Sequence, residues 1–386
     1  MRTRFARTPI VVLVAIAVLL IGVGCREQSA GAADQALQAA QTAPQPPPKR
    51  SFAMVAVGDI MLDRNVWRAI RNNGYRSILA KVRDLTRSAD IAFANLECPL
   101  SDQGPHSPSK YLLFRAPPET AQVLVDGGFD IVSLANNHTL NAGKTGVENT
   151  IDTLEKYGVA YCGCRRPDEK ADAWKPTYFA VNDYVLGFMA YTDLTFEHGS
   201  YAKIENYDEL AEQLAGAKAH CDLLFVSVHW GDEYDNTPND RQRKLAHYLV
   251  DNGADVVLGH HPHTLQGVEV YNGCPILYSM GNFVFDQREG ERMESAIFHL
   301  RYTEDYGWNL FAKPVWIPRS RMGPIYPEAS RAHKIATRLA ELSADLGTQV
   351  SEQNNKVWIN IRRPAEPSEA ATNQTKPTEE QGNESL

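Results

Sequence analysis

Cysteine is scarce, six in 386 residues, and no two are spaced as C-x-x-C. With Cys25 set aside for the reason given below, Cys98, Cys162, Cys164, Cys221 and Cys274 are an odd number that cannot all pair within the chain, so no disulfide framework can be read here. Cys162-Gly163-Cys164 lacks the two-residue spacer of a zinc or thioredoxin motif and reads as two small, half-buried residues beside a strand. Positive charge is also in deficit: 39 Lys and Arg against 47 Asp and Glu leave a formal charge of −8. An acidic exterior argues against nucleic acid as a partner, and any polyanionic substrate must be drawn in by local positive charge, which bound metal ions can supply. No internal repeat and no linker interrupts residues 51–350, so one domain is expected there.

The apolar run from Pro9 to Gly24, preceded by Arg2, Arg4 and Arg7, is too short for a membrane span and fits a secretory signal, so residues 1–24 are expected to be a signal peptide. Gly22-Val23-Gly24-Cys25 has the small residues and the cysteine of a lipoprotein processing site, although Gly22 stands where Leu is usual. A lipidated Cys25 is the leading reading, with ordinary secretion or an uncleaved N-terminal anchor left open. The expected location is the bacterial cell envelope, exported and membrane-anchored. Residues 25–50, rich in Ala and Gln and closing in prolines, read as a tether; residues 364–386, without an aromatic, read as a disordered tail.

Between those limits short apolar runs alternate with helical patterns at 117–126, 145–157, 207–219 and 238–251, the mark of an α/β fold. Strand-like pairs at 177–181 with 184–190, 266–270 with 275–279 and 296–301 with 310–317 suggest antiparallel additions to the sheets. A last helix at 328–345 is expected on the outside.

Five strand-like runs end in ligand-type residues: Gly58-Asp59, Asn95-Leu96-Glu97, Asn136-Asn137-His138, His229-Trp230-Gly231 and Gly259-His260-His261-Pro262-His263. One such cluster would more often cap a helix or form a turn; five place chemistry at the carboxyl ends of the strands. Asp59, Glu97, Asn137, His229, His261 and His263 form a mixed oxygen and nitrogen set suited to a divalent Mn, Zn or Fe ion rather than to Ca²⁺. The spacing of His261 and His263 lets both imidazoles point the same way from an extended strand end. A carboxylate bridging two ions would hold them about 3.5–4 Å apart.

These clusters, together with Val57-Gly58-Asp59-Ile60-Met61-Leu62, Phe114-Arg115-Ala116-Pro117-Pro118 and Gly281-Asn282-Phe283, resemble the CapA or PgsA family of bacterial capsule-synthesis proteins. That family is linked to poly-γ-glutamate and is similar to calcineurin-like metallophosphoesterases. The resemblance implies a sandwich of two mixed sheets flanked by helices. It implies that Asp59 and His263 hold one ion, that Asn137, His229 and His261 hold the other, and that Glu97 bridges. It also implies that His138 faces the substrate, donating a proton or stabilising developing charge. Three positions depart from the phosphoesterase pattern: Met61 replaces a ligand His, Glu97 replaces the bridging Asp, and Asn141 stands where an Asp is expected, so one or two ions are expected.

Arg115 reads equally as a fork for an anionic substrate group or as half of a surface ion pair, and Asn95 as a substrate contact or a turn former. Arg64 is open between the site and a surface pair, and His260 reads as structural. The leading expectation is an envelope-anchored protein of capsule or poly-γ-glutamate biosynthesis with a metal-dependent hydrolase site and a polyanionic polymer as partner. The alternatives are a non-catalytic polyanion-binding assembly or export factor, and a phosphoesterase acting on another envelope substrate.

Overall fold

Alternation of apolar residues on two faces of each strand builds the architecture. In the computed structural model, residues 50–110, 112–169, 176–194, 202–204, 206–287 and 289–361 are described. The expected signal peptide, lipidation site and tail lie outside them, as does all of the tether but Arg50; no helix among the described residues is long and apolar enough to cross a membrane.

The first sheet has nine strands. It contains β1 (Ser51–Ile60), β2 (Ile91–Leu96), β3 (Ile131–Ser133) and β4 (Ala160–Cys162), all parallel. The second has six: β5 (Thr177–Val181), β6 (Tyr184–Thr192), β7 (Leu223–His229), β8 (Val256–His260), β9 (Val268–Tyr271) and β10 (Cys274–Leu277), in the order β5-β6-β7-β8-β10-β9. The chain then returns to the first sheet with β11 (Asn282–Val284), parallel to β1, and with the antiparallel β12 (Glu294–Thr303), β13 (Gly307–Trp316), β14 (Val350–Gln353) and β15 (Lys356–Ile359). Apart from β11, the order of that sheet is β14-β15-β13-β12-β1-β2-β3-β4.

On β1, Phe52, Met54 and Ala56 point between the sheets and Val55 and Val57 point outward, as a two-residue period requires. The inter-sheet layer is aromatic: Phe188 stacks on Phe225 at 4.8 Å between centroids, and Phe93 on Phe188 at 6.1 Å. Helices Arg64–Asn73 and Gly143–Tyr157 contribute to the core outside the first sheet, and helices Tyr207–Lys218 and Asp240–Asp251 to that outside the second. The last of these starts in a reciprocal cap between Asn239 and Gln242.

The expected sandwich of two mixed sheets flanked by helices is therefore present, and the three strand pairs are antiparallel hairpins. Three details differ. The stretch expected as a helix at 117–126 begins as a 3-10 turn, Pro118–Ala121, before the helix Gln122–Gly127. Helix Ala329–Ala344 does not lie on the outside: Ile335, Ala336 and Leu339 join Leu310, Ala312, Val357 and Ile359 in the inter-sheet core. The first sheet also continues past residue 350, where the domain was expected to end, because Val357 and Ile359 give β15 an inward apolar face.

The first sheet's central strand meets the end of the second sheet's chain at Gly58. A Cβ there would lie 1.7 Å from the Gly281 carbonyl oxygen, the group that accepts from the Asp59 N–H at 2.9 Å. Gly58→Ala is expected to force these strands apart and cost about 1–3 kcal/mol. A denaturant titration with an unchanged midpoint would contradict this packing.

Candidate metal centre

The parallel strands of both sheets end at one edge, and their last residues converge. Asp59 at the end of β1 pairs in register with Asn95 on β2, and His229 on β7 with His260 on β8. Just past β8 the chain turns back on itself with His261 at φ 98° and His263 at φ 59°. Both occupy the left-handed region that non-glycine residues rarely adopt. The expected extended strand end is thus a turn, and this backbone conformation is what places both imidazoles in the cluster.

Glu97, fully buried, is the centre. Its Oε1 lies 3.6 Å from His263 Nε2 and 3.9 Å from both His229 Nε2 and His138 Nε2. Asp59 Oδ1 accepts from Asn95 Nδ2 at 2.9 Å and from His260 Nδ1 at 3.1 Å, while Oδ2 faces His263 Nδ1 at 3.3 Å. Asn137 Oδ1 meets His229 Nε2 at 2.9 Å, and the His229 and His261 rings are 4.8 Å apart. Asn282 Oδ1 holds His263 Nδ1 at 3.0 Å, which turns Nε2 toward Glu97. Ligand atoms of Glu97, His261 and His263 lie within 4.8 Å of one another, as do those of Asp59, Glu97 and His229.

The fit to a cation rests on atoms left without partners. Asp59 Oδ2, both oxygens of Glu97 and His261 Nδ1 are buried and make no hydrogen bond. Each such group costs about 1–3 kcal/mol, and more when charged, unless something satisfies it. Three of the four are carboxylate oxygens, whose lone pairs a divalent ion would accept while neutralising their charge. Burial lowers the pKa of His229, of His261 to about 4, and of His138 to about 4, so all three rings are neutral at pH 7, the state in which imidazole ligates. The two carboxylates are driven apart. Burial raises Asp59, but the hydrogen bond from His260 and the nearby His263 ring win and hold it well below the usual range; burial and the neighbouring Asp59 push Glu97 well above it.

His138 stacks on Phe114 at 4.2 Å and is oriented by Asn141. The Phe114 N–H donates to Asn141 Oδ1 at 2.8 Å, which identifies that atom as the oxygen; at 2.7 Å from His138 Nδ1 it can only accept, so Nδ1 carries the proton. Nε2 is left as a lone pair, with Asn137 Nδ2 at 3.3 Å. Asn141 therefore supplies the orientation an Asp would supply, without the charge.

Asp59, Glu97, Asn137, His138, His229, His261 and His263 are all brought to this cluster. Asn95 is fully buried between Asp59 and Asn136, which is the place of a positioning residue rather than of a substrate contact. Arg115 donates through Nη1 to the carbonyls of Asp102 and Gly104 at 3.1 and 2.9 Å, so this nitrogen holds a loop rather than a surface carboxylate. Arg64 is paired with Asp286, its guanidinium 4.7 Å over the Phe114 ring. Met61 is buried, its sulfur accepting from the Asp63 N–H. Asn282 and His260 were present in the motifs as strand-end residues, but sequence gives no signal of which atom each one orients.

Two outcomes follow from the hydrogen bonds around Asp59 and His138. His260→Phe removes a donor to Asp59 Oδ1 and is expected to weaken Mn²⁺ or Zn²⁺ binding about 10- to 100-fold by calorimetric titration, whereas His260→Asn, which keeps an N–H near the Nδ1 position, restores most of it. In metal-free Asn141→Asp, a carboxylate beside Nδ1 is expected to move the His138 pKa from about 4 toward the ordinary imidazole range in an NMR pH titration. No movement would show that Asn141 does not govern the ring.

The family model described as bacterial capsule synthesis protein PGA_cap matches residues 53–287. The chain is 32% identical over 313 residues to the "PGA biosynthesis protein CapA" of Bacillus subtilis, covering 79% of this chain and 81% of that protein. It is 35% identical over 266 residues to the "Capsule biosynthesis protein CapA" of Bacillus anthracis, covering 65% of this chain and 64% of that protein. A solved structure titled as a novel phosphatase, from Mycoplasma pneumoniae, aligns at 12% identity and a TM-score of 0.42, covering 72% of this chain and 92% of that one. The matched segment runs from β1 to just past β11 and contains every residue of the cluster: the chain belongs to the bacterial capsule synthesis protein PGA_cap family.

Proposed function

We propose that this protein is a metal-dependent hydrolase of capsule or poly-γ-glutamate biosynthesis, acting at the cell envelope on an anionic polymer or a precursor of one. The observation that carries the reading is the set of four partnerless buried ligand atoms on Asp59, Glu97 and His261, arranged around the ring nitrogens of His229 and His263. Asp59, Glu97, Asn137, His229, His261 and His263 would hold one or two ions, with Glu97 common to both groups of converging ligand atoms, and Mn, Zn and Fe are all compatible with the donors. When bound, such ions supply Lewis acidity and acidify water.

The chain's own residues do the rest. Asp59 is already held ionised by its neighbours, and Glu97 would be ionised by the cation charge that compensates its burial. His138 would face the scissile group through Nε2, held in one tautomer by Asn141 and in one plane by Phe114. With Nδ1–H committed, Nε2 takes up a proton before it can give one, so His138 acts first as a base or a hydrogen-bond acceptor. Residues 1–24 would export the chain, and Cys25 or the preceding segment would anchor it, with residues 25–50 as tether to a domain beginning near residue 51.

One observation favours a second reading, a non-catalytic assembly or export factor that binds the polymer. Burial lowers the His138 pKa to about 4, more than the hydrogen bond to the neutral Asn141 restores, which makes the ring a poor proton donor at pH 7, and Met61 offers no ligand atom to the cluster. Hydrolysis of a generic phosphodiester with Mn²⁺ or Zn²⁺ separates the two. The enzyme reading expects metal-dependent turnover that falls about 10²- to 10⁴-fold in His138→Gln. Turnover absent in the metal-loaded wild type toward phosphodiester, peptide and ester substrates would favour the binding factor.

A further inference from the structure

Arg64, the first residue of helix Arg64–Asn73, has φ 54°, left-handed backbone that a non-glycine residue rarely adopts. Such strain persists only where the surrounding structure imposes it, and it concentrates at functional sites. The side chain that this backbone directs lies beside the metal centre. Its guanidinium is 4.7 Å over the Phe114 ring and 5.7 Å over the Phe285 ring. Phe114 in turn stacks on His138 at 4.2 Å, and Phe285 meets His263 at 4.9 Å between centroids. Each ring that supports Arg64 therefore also packs on an imidazole of the cluster.

The donors of Arg64 are only partly used. Nη2 donates to Asp286 Oδ1, while Asp286 Oδ2 accepts from the Asn65 N–H at 3.3 Å and from Asn65 Nδ2 at 2.9 Å. Nε is buried and makes no hydrogen bond, and among the described residues nothing accepts from Nη1. The charge nevertheless reaches the centre: burial, Asp59 and Glu233 raise the Glu97 pKa, and Arg64 lowers it. An ion pair whose only task was to fix the start of the helix would need neither left-handed backbone nor an orphaned Nε–H. The buried Asp286 instead holds the guanidinium in one place while Nη1 keeps its donors to spare.

We propose that Arg64 is the anion-binding residue of this site, donating through Nη1 to a phosphate or carboxylate group of the substrate beside the metal centre. The inference rests on the metal-centre reading above and adds to it a residue that touches substrate without touching an ion. In a chain of net charge −8, with Asp59, Glu97 and Glu233 all acting on the centre, an incoming anion needs a fixed positive group as well as the ions. A planar guanidinium locked by Asp286 and two aromatic rings supplies it with little ordering left to do on binding.

The test titrates the full-length protein with Mn²⁺ and then, with and without Mn²⁺, with inorganic phosphate and separately with succinate, by calorimetry. The wild type is expected to bind at least one of the two anions, which identifies the oxyanion, and Arg64→Gly to bind it about 10- to 100-fold more weakly. Glycine adopts φ 54° without strain, so this variant removes the side chain and spares the backbone. Its Mn²⁺ affinity is expected to equal or exceed that of the wild type, because a positive charge near Glu97 is gone, whereas a misfolded variant would lose cation and anion together. Arg64→Lys, which keeps the charge but not the planar donors, is expected to fall between, and it decides the matter should Arg64→Gly fail to fold. A wild type that takes up no Mn²⁺ would sink the hydrolase reading, while anion binding that Arg64→Gly weakens would still uphold this one. No binding of either anion by the wild type, or affinity equal to wild type in both variants, would overturn the assignment.

Discussion

Two carboxylates buried within reach of five imidazoles, with oxygens that nothing in the protein satisfies, are the constraint around which this structure is organised. Asp59 and Glu97 are fully buried, and taking an ionised carboxylate out of water costs several kcal/mol even after relaxation. The protein settles one of them internally. Asn95 and His260 hold Asp59 Oδ1 and keep that group ionised, while Glu97 has no hydrogen bond to either oxygen. An external cation is the compensation this donor set accommodates, and the neutral histidines facing it are already in the ligating state.

The scaffold serves that constraint by bringing strand ends from two sheets to one edge. Gly58 and Gly281 let β1 and the segment before β11 approach closely enough to share a backbone hydrogen bond, and Asn282, next to Gly281, orients His263. Left-handed backbone at His261 and His263 stores strain that the surrounding packing must hold. A neutral carboxamide at Asn141, where an acid would raise the basicity of His138, decides how that ring can act, and it separates a hydrolase from a binding factor more sharply than the ligand set does.

Much of this was legible in the chain. Period-two strands ending in Asp59, Glu97, Asn137, His229 and the histidine turn pointed to both the sheets and the residues that converge at their ends, because a buried strand and its polar end leave separate marks on sequence. What was not legible depended on tertiary contact. Asn95 looked like a substrate contact because sequence cannot show that Asp59 and Asn136 close over it. Arg115 was open between a substrate fork and an ion pair because the carbonyls of Asp102 and Gly104 that it holds carry no side-chain signal. The last helix was expected outside because a stripe of Ile335, Ala336 and Leu339 fits an outer layer as well as the edge of a sandwich core. β14 and β15 are short strands whose role emerges only from pairing with β13.

The most direct test of the central claim is the metal stoichiometry of the purified protein, measured by elemental analysis after chelation and reloading, together with its thermal unfolding midpoint in each state. The account predicts one or two Mn, Zn or Fe ions per chain and a midpoint that rises on reloading, as binding to the folded state alone requires. A protein that retains no ion and unfolds at the same temperature with or without metal would contradict it.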